Sequence, residues 1–204
     1  STATVRESSQ LFVVGLASRG PSDEAILIQS IAEFESMFGE YRSDSYLHPT
    51  VETFFEEGGT QAYVARTVGG SATVGQLVLN SASVPCITLT ANGPGAWSAD
   101  VDAEVVVSGN FSKLNLYYDN TLVYTTGNCS TSSQMAGRVN SSTVATRYVS
   151  ATIQSTSLLP TALAITALGA GNSQEASVTA ATYVAALSLF NDALGTGAVA
   201  CPEV

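Results

Sequence analysis

His48 is the only histidine of the 204-residue chain and therefore its only candidate imidazole base. A Ser-His-Asp triad on an α/β scaffold needs a serine in a Gly-x-Ser-x-Gly elbow, and the sequence contains no such elbow. Pro49 follows His48 directly, and proline favours the first turn of a helix. The sequence therefore predicts that His48 lies in a loop or a helix cap and has no catalytic role.

Two groups of carboxylates could take part in acid-base chemistry or bind a cation. Glu56 and Glu57 are adjacent at the end of a predicted helix, where neighbouring side chains diverge by about 100° and do not face each other. Asp100, Asp102 and Glu104 alternate, so we expect all three on one face of a strand. Calcium would suit such a row, but calcium sites also need converging loop oxygens. We therefore predict no catalytic residue and no metal site.

Residues 15–20 begin and end in glycine after an apolar run, as phosphate-binding loops do. A phosphate loop continues through Lys-Ser or Lys-Thr into a helix, whereas here Pro21 follows and the next segment is extended. The dinucleotide-binding fingerprint fails for the same reason. We predict no cofactor-binding residue and no bound cofactor.

The composition disfavours several classes of partner. Seventeen acidic and seven basic residues give a net charge of -10, and such a surface repels nucleic acid. No apolar run reaches the roughly 18 residues of a membrane span, so no membrane insertion is predicted. Three scattered cysteines favour buried free thiols over disulfides or metal ligands. They are Cys86, Cys129 and Cys201.

The first part of the chain predicts a small layer of strands and helices. Residues 11–16 form a continuous apolar run, which is typical of a strand buried on both faces. Ser30 and Glu33 form a capping box for a helix over residues 31–38, and Gly39 ends that helix.

A second helix is predicted to begin near residues 48–50 and to end at Gly58, with a strand following over residues 62–68. Four phenylalanines lie on the two helices, and we expect at least three of them to be buried. They are Phe34, Phe38, Phe54 and Phe55.

Beyond a composition break at residues 69–73 the apolar residues alternate, which predicts an antiparallel sandwich or small barrel. Asp119 and Asn120 form a compact hairpin turn, and Trp97 is predicted to anchor the core of this β-rich part. The expected strands cover residues 87–91, 101–107, 113–118, 122–125 and 140–149.

The last part of the chain returns to the first pattern. A helix is expected over residues 178–190, capped by Ser177 or Thr179, followed by a strand at residues 199–201. The predicted fold class is α+β, with a small α/β layer and an inserted β-rich sandwich or barrel. Residues 1–70 and 165–204 are assigned to the α/β part, and residues 71–164 to the insertion.

Residues 12–66 carry an ordered set of motifs that resembles the opening domain of contractile phage tail sheath proteins. A strand leads into a Gly-x-x-x-x-Gly-Pro turn, a helix ends in Phe-Gly, paired phenylalanines precede Gly-Gly, and a strand ends in Val-x-Arg at Arg66. Each element is common alone, but the ordered set is specific. The resemblance continues less closely through the Gly-Pro-Gly-Ala-Trp segment at residues 93–97.

The resemblance implies a structural subunit and no enzyme. Sheath subunits form homo-hexameric rings that stack into a helix around the inner tail tube, and they contract to drive the tube through the host envelope. The chain would correspond to the front part of such a subunit, with tube and baseplate contacts in other parts. The implied location is the virion tail, with assembly in the host cytoplasm.

Two alternatives share parts of this pattern. One is the sheath of a bacterial contractile injection system or bacteriocin. The other is a β-rich adhesion or carbohydrate-binding module, for which exposed tyrosines on the hairpin at residues 114–124 would be the signature: Tyr117, Tyr118 and Tyr124.

Overall fold

The computed structural model describes residues 10–203, which form two compact units. The first unit is built from residues up to Ser71 and from Gln174 onward, and the second from Ala72 to Ser173. No helix in the described part is long and apolar enough to cross a membrane. The strands are β1 (Gln10–Gly15), β2 (Ile26–Ile28), β3 (Gln61–Arg66), β4 (Gln76–Ser81), β5 (Val84–Ala91), β6 (Val101–Ser108), β7 (Phe111–Tyr118), β8 (Thr121–Thr125), β9 (Val149–Ile153), β10 (Leu163–Ala167) and β11 (Ala198–Ala200). The helices are α1 (Ile31–Phe38), α2 (Leu47–Glu56), α3 (Ser132–Asn140) and α4 (Ala180–Leu187).

The first unit has helices on both faces of a four-stranded sheet in the order β11-β1-β3-β2. β1 runs parallel to β3 and β11, while β2 runs antiparallel to β3. Leu11 and Val13 of β1 pack in the core with α1 and α2, whereas Val14 packs in a separate core with α4. Both faces of β1 are covered, and residues 11–15 of the strand are apolar and buried, as predicted.

Helix α1 begins and ends where the sequence predicts. The Ser30 hydroxyl accepts a hydrogen bond from the backbone N–H of Glu33 at 3.2 Å. The Glu33 carboxylate reaches back to the backbone N–H of Gln29 at 2.8 Å, one residue before the expected partner. Gly39 ends the helix with a φ of 90°, a conformation that glycine adopts without strain.

The expectation that at least three of the four phenylalanines are buried was wrong. Phe34 and Phe38 are buried, but Phe54 and Phe55 are both only partly buried at the edge of the same core. Adjacent helical residues point about 100° apart, and α2 ends one residue after Phe55, so the two rings share the edge of the core instead of one filling it.

The second unit consists of two antiparallel sheets around one core, with strand orders β10-β6-β7-β8 and β4-β5-β9. Within the described residues no sheet closes into a barrel, so the sandwich-like alternative is the observed one. Asp119 and Asn120 have φ values of 47° and 60°, as expected for the hairpin turn between β7 and β8. The predicted α+β class is confirmed.

The strand expected over residues 140–149 was wrong. Asn140 is the last residue of α3, a helix that the sequence analysis did not predict, and β9 begins only at Val149. The Asn140 side chain accepts a hydrogen bond from the backbone N–H of Ala151 at 2.8 Å and donates one to its carbonyl oxygen at 2.9 Å. These bonds fix the turn, which overrides the β-branched composition of the segment.

The return to the first unit differs from the expected segments in two ways. α4 ends at Leu187, three residues before Phe190, although Thr179 caps it as expected. The boundary expected at residue 165 falls inside β10, which pairs with β6 in the second unit. The boundary between the two compact units follows Ser173, because β10 belongs to a sheet of the second unit.

Candidate functional site

The carboxyl ends of the parallel strands β1, β3 and β11 meet at one edge of the sheet in the first unit. In α/β sheets, ligands bind outside the carboxyl ends of the strands. This edge is formed by the loop at residues 16–20 after β1, by Arg66 at the end of β3, and by Glu203 after β11. It is therefore the first place to look for chemistry.

Arg66 lies beneath the loop at residues 16–20 and is only 1% exposed. Its Nε donates a hydrogen bond to the carbonyl oxygen of Ala17 at 3.0 Å, and its Nη1 donates one to that of Gly20 at 2.8 Å. Burial lowers the pKa of Arg66 to about 10, so the guanidinium is still charged at neutral pH. The guanidinium fork thus holds two backbone carbonyls of the loop in place.

A second arginine, Arg42, approaches the same loop from the α1–α2 connection. Its Nη1 contacts the carbonyl oxygen of Ala17 at 3.3 Å and the Glu175 carboxylate at 2.8 Å. Its Nη2 contacts Glu175 at 2.8 Å and Asp44 at 2.7 Å. The hydrogen bond to Glu175, followed by that to Asp44, raises the pKa of Arg42. The charged guanidinium is therefore held by these two carboxylates.

The Glu203 carboxylate accepts hydrogen bonds from three different segments. It accepts hydrogen bonds from the backbone N–H groups of Leu16 at 3.0 Å and Tyr46 at 3.2 Å, and one from the Ser45 hydroxyl. The Tyr183 hydroxyl of α4 donates to it at 2.7 Å. Burial and this hydrogen bond raise the pKa of Tyr183.

On the α1–α2 side this edge has little room for a ligand, whereas an open cavity of about 410 Å³ lies between the end of β3 and α4. The cavity beside the loop has a volume of about 10 Å³, which is the space of a single water molecule. The named charged groups bond to the loop, to the start of α2 and to one another. The arrangement fastens the loop and β11 to the sheet, and we infer a structural role for it.

His48 is placed in the first turn of α2, beside the helix start that the sequence predicts. Its Nε2 lies 3.0 Å from Glu35 Oε1, and its ring packs edge-on against Phe34 with 5.6 Å between ring centroids. Its second nitrogen, Nδ1, lies 3.9 Å from Glu52 Oε2. No serine contributes to this group, so the geometry is that of a packed histidine bridging α1 and α2.

The structure places the two groups of carboxylates that the sequence analysis considered on exposed or separate elements. Glu56 ends α2 and Glu57 follows it, and both are exposed. The expectation that three carboxylates share a strand face was wrong, because Asp100 belongs to a short 3-10 turn and only Asp102 and Glu104 lie on β6. No cluster of three metal-ligating side chains occurs among residues 10–203.

Glu104 forms a small hydrogen-bonded group on the outer face of β6 and β7. Its Oε2 accepts from Asn115 Nδ2 at 2.7 Å and from the Tyr117 hydroxyl at 2.9 Å. These two bonds, first that of Asn115, hold the pKa of Glu104 below its ordinary value of 4.5. The hydrogen bond to Glu104 thus holds the Tyr117 side chain against the sheet.

We predict that this group makes the stability of the second unit depend on pH in the acid range. A carboxyl whose pKa is lowered by folding stabilises the protein above its unfolded pKa, and this stabilisation is lost as the pH falls through the folded pKa. Urea unfolding between about pH 6 and about pH 3, followed by Trp97 fluorescence, measures the loss. Glu104→Gln should make the free energy of unfolding depend less on pH in this range, whereas the exposed Glu57→Gln should leave the pH dependence unchanged. An equal pH dependence in Glu104→Gln and in the parent would show that Glu104 does not cause it.

The tyrosines of the β7–β8 hairpin do not form an exposed aromatic surface. Tyr118 packs against Tyr148 with 5.1 Å between ring centroids, and Tyr124 donates a hydrogen bond to the carbonyl oxygen of Arg138 at 2.8 Å. Both lie against the core of the second unit, while Tyr117 lies on the outer face with Glu104. The expected signature of a carbohydrate-binding module is therefore not observed.

Trp97 and the cysteines are placed as expected for core residues. Trp97 is buried in the second unit, and its indole N–H donates to the carbonyl oxygen of Pro94 at 3.1 Å. Cys86 and Cys129 are buried, Cys201 is partly buried, and all three are free thiols. The sole tryptophan is thus a fluorescence probe of the second unit alone.

The first unit exposes apolar side chains on α4 and on the edge strand β11. Val184 on α4 and Val199 on the edge strand β11 are each 65% exposed. α4 carries no charged residue, and its outward positions also include exposed alanines. We call these two exposed valines, Val184 and Val199, the apolar edge.

Solved structures that share this fold include two sheath tail proteins. A sheath tail protein from Listeria innocua aligns with 95% of this chain at a TM-score of 0.59 and 20% sequence identity. One from Desulfitobacterium hafniense aligns with 95% at a TM-score of 0.56 and 16% identity. The sequence matches no protein-family model, and no curated protein matches it significantly.

The chain shares its fold with part of these proteins. The alignments cover 40% of the Listeria innocua chain and 45% of the Desulfitobacterium hafniense chain, so this chain spans less than half of either. The resemblance to sheath proteins that residues 12–66 predict is confirmed at the level of the fold.

Proposed function

We propose that the chain is part of a structural subunit of a contractile tail sheath, which polymerises around an inner tail tube and contracts to drive the tube through the host envelope. The observation that carries the proposal is the shared fold over 95% of the chain with two sheath tail proteins. The ordered motifs of residues 12–66 support the proposal independently, because they resemble the opening domain of sheath proteins in the same order along the chain.

The chemistry of the first unit supports a structural role without enzymatic activity. The buried charges at the carboxyl edge of the sheet bond to backbone groups and to each other, as Arg66 does with Ala17 and Gly20. Contraction by sliding of nearly rigid subunits would need rigid units rather than a bound cofactor or nucleotide.

We propose that the first unit belongs to the core of the subunit and that the second unit is an insertion at its outer surface. The apolar edge, Val184 and Val199, is then the surface on which the rest of a longer sheath subunit packs. Two features support this: among the described residues β11 is the outermost strand at one edge of its sheet, and the alignments cover less than half of either relative.

The proposed partners are copies of the subunit itself, in hexameric rings stacked into a helical sheath, and the tube and baseplate proteins. The proposed place is the tail of a virion, with assembly in the host cytoplasm. A sheath of a bacterial contractile injection system would have the same fold, and genes for a capsid beside this gene would distinguish a phage from such a device.

We predict that Val199→Lys leaves the stability of the 204-residue chain almost unchanged but prevents the full-length protein from forming tubes. In the 204-residue chain Val199 is 65% exposed, so the free energy of unfolding should change by no more than about 0.5 kcal/mol. In the full-length protein the same lysine would be buried against added chain, and burial of an unpaired charge should prevent formation of sheath tubes.

Negative-stain electron microscopy of the full-length protein measures the tubes. Leu122→Lys is the matched control, because Leu122 is 52% exposed on β8 in the second unit and should leave the tubes intact. Discrete particles from the parent protein would contradict the sheath function. Normal tubes from Val199→Lys would contradict only the role of the apolar edge.

A further inference from the structure

The strands β1 and β3 of the first unit are parallel neighbours, but the chain leaves them toward opposite faces of the sheet. After β1 it crosses to β3 through α1 and α2, which pack on the face that Val64 presents. It later enters β11 from α4, which packs on the face that Ala65 presents. In an α/β sheet, ligands bind in the crevice outside the carboxyl ends of such a pair of strands.

An open cavity of about 410 Å³ lies at this crevice, between the end of β3 and α4. Its walls include Val68 and Gly70, which follow β3, and Ala185 and Leu189 on the side of α4. Ligand pockets in proteins measure about 300–1,000 Å³. The cavity is therefore large enough for a small organic molecule, and most of its walls are apolar.

Thr67 has an unpaired hydroxyl group in the wall of this cavity. Its backbone N–H donates to the carbonyl oxygen of Gly15 at 2.8 Å, so the alternation of β3 continues through it. Because Ala65 packs toward α4, Thr67 faces the same side two residues later. Thr67 is 2% exposed, and Oγ1 has no hydrogen-bond partner among the described residues. A buried hydroxyl without a partner is destabilising, so this one points to a ligand that pairs with it.

The charges around the cavity favour an uncharged ligand. Arg66 contributes a cation to one wall, while Asp23 contributes an exposed carboxylate to another. Since the two charges have opposite signs, neither an anion nor a cation is favoured, and a charged ligand would also lose its hydration against the apolar walls. A threonine hydroxyl can donate or accept a hydrogen bond. The matching group on the ligand is therefore a hydroxyl or a carbonyl.

We propose that the cavity binds a small uncharged molecule with an apolar body and one hydroxyl or carbonyl group, which forms a hydrogen bond with Thr67 Oγ1. The apolar body lies between Val68 and the side chains of Ala185 and Leu189. The hydrogen bond selects such a molecule over a plain hydrocarbon, because apolar walls alone do not distinguish the two. The site does not depend on the proposed sheath function, since its walls include neither residue of the apolar edge.

Fluorescence anisotropy of naphthol and of naphthalene, each titrated with the 204-residue chain, tests the site. The two probes share their apolar body, and only naphthol has a hydroxyl group. Both should bind saturably at one site per chain, with naphthol the tighter of the two. Thr67→Val replaces the hydroxyl by a methyl group, so it should weaken naphthol binding by about tenfold and change naphthalene binding by less than about twofold.

A second variant tests the position of the site. Ala185→Phe would fill the cavity, so it should weaken the binding of both probes by about tenfold or more. Ala180→Phe is the matched control, because Ala180 is an exposed alanine of the same helix outside the cavity wall. This variant should bind both probes like the parent. The dispersion of the amide NMR spectrum checks that each variant remains folded.

Each outcome decides the proposal. A parent that shows no saturable binding of naphthol would overturn it. Naphthol binding that Thr67→Val leaves unchanged, or weakens only as much as naphthalene binding, would overturn it as well. If Ala180→Phe weakens binding as much as Ala185→Phe does, the probes bind outside this cavity and the proposal is wrong.

Discussion

Replacing Arg66 by alanine is expected to lower the free energy of unfolding of the first unit by roughly 3–5 kcal/mol. The carbonyl oxygen of Gly20 would lose the 2.8 Å hydrogen bond from Nη1, and that of Ala17 would keep only the longer bond from Arg42. A buried acceptor without its partner costs about 1–3 kcal/mol, and removal of a side chain that is 1% exposed also leaves a cavity. Arg66→Lys should recover only part of the loss, because an ammonium lacks the planar fork that reaches both carbonyls.

Amide hydrogen exchange on β1 and β3 measures this loss in the first unit. Trp97 fluorescence during urea unfolding reports the second unit, whose midpoint should stay at the parent value. Arg147→Ala is the control, since Arg147 is a partly exposed arginine of the second unit and should change stability by no more than about 0.5 kcal/mol. Unchanged protection of β1 in Arg66→Ala would show that this arginine does not hold the loop.

Features that depend on a few neighbouring residues could be predicted from the sequence. The Ser30 cap and the Gly39 stop bound α1 as expected, because both act through backbone groups within four residues. The turn at Asp119 and Asn120 is of the same kind, since these residue types tolerate the positive φ that the hairpin needs. The alternating apolar residues likewise place β5, β6 and β7 close to their observed ends.

The role of the carboxyl edge could not be predicted, because its partners are far apart in sequence. The Arg66 motif was visible, but the carbonyls it binds lie 46 and 49 residues earlier. The Glu203 carboxylate bonds to the N–H of Leu16 across 187 residues. Neither contact has a local pattern, so only the three-dimensional arrangement of β1, β3 and β11 shows it.

Helix α3 was missed for a different reason. Its segment is rich in Ser and carries Gly137, so its intrinsic preference for helix is weak. Met135 and Val139 are one helical turn apart and are both buried in the core of the second unit, which supplies the stability that propensity does not. The spacing of these two residues and the Thr131 cap were the available signals.

Phe34→Ala is expected to destabilise the first unit by roughly 3–5 kcal/mol, a large share of the stability of a typical domain. Phe34 is 2% exposed and lies at the centre of the α1–α2 layer, with its ring centroid 5.4 Å from that of Phe38 and 5.6 Å from that of His48. Removing the ring leaves a cavity that the two neighbouring rings fill only in part. The loss should appear as faster amide exchange throughout β1 and β3.

Two comparisons separate this loss from a general effect of removing an aromatic ring. Phe55→Ala should cost less than Phe34→Ala, because Phe55 is only partly buried at the end of α2. Tyr46→Ala should cost little, since the Tyr46 side chain is 67% exposed. If all three variants unfold together, or if Phe34→Ala unfolds like the parent, then the packing of α1 against α2 does not determine the stability of this unit.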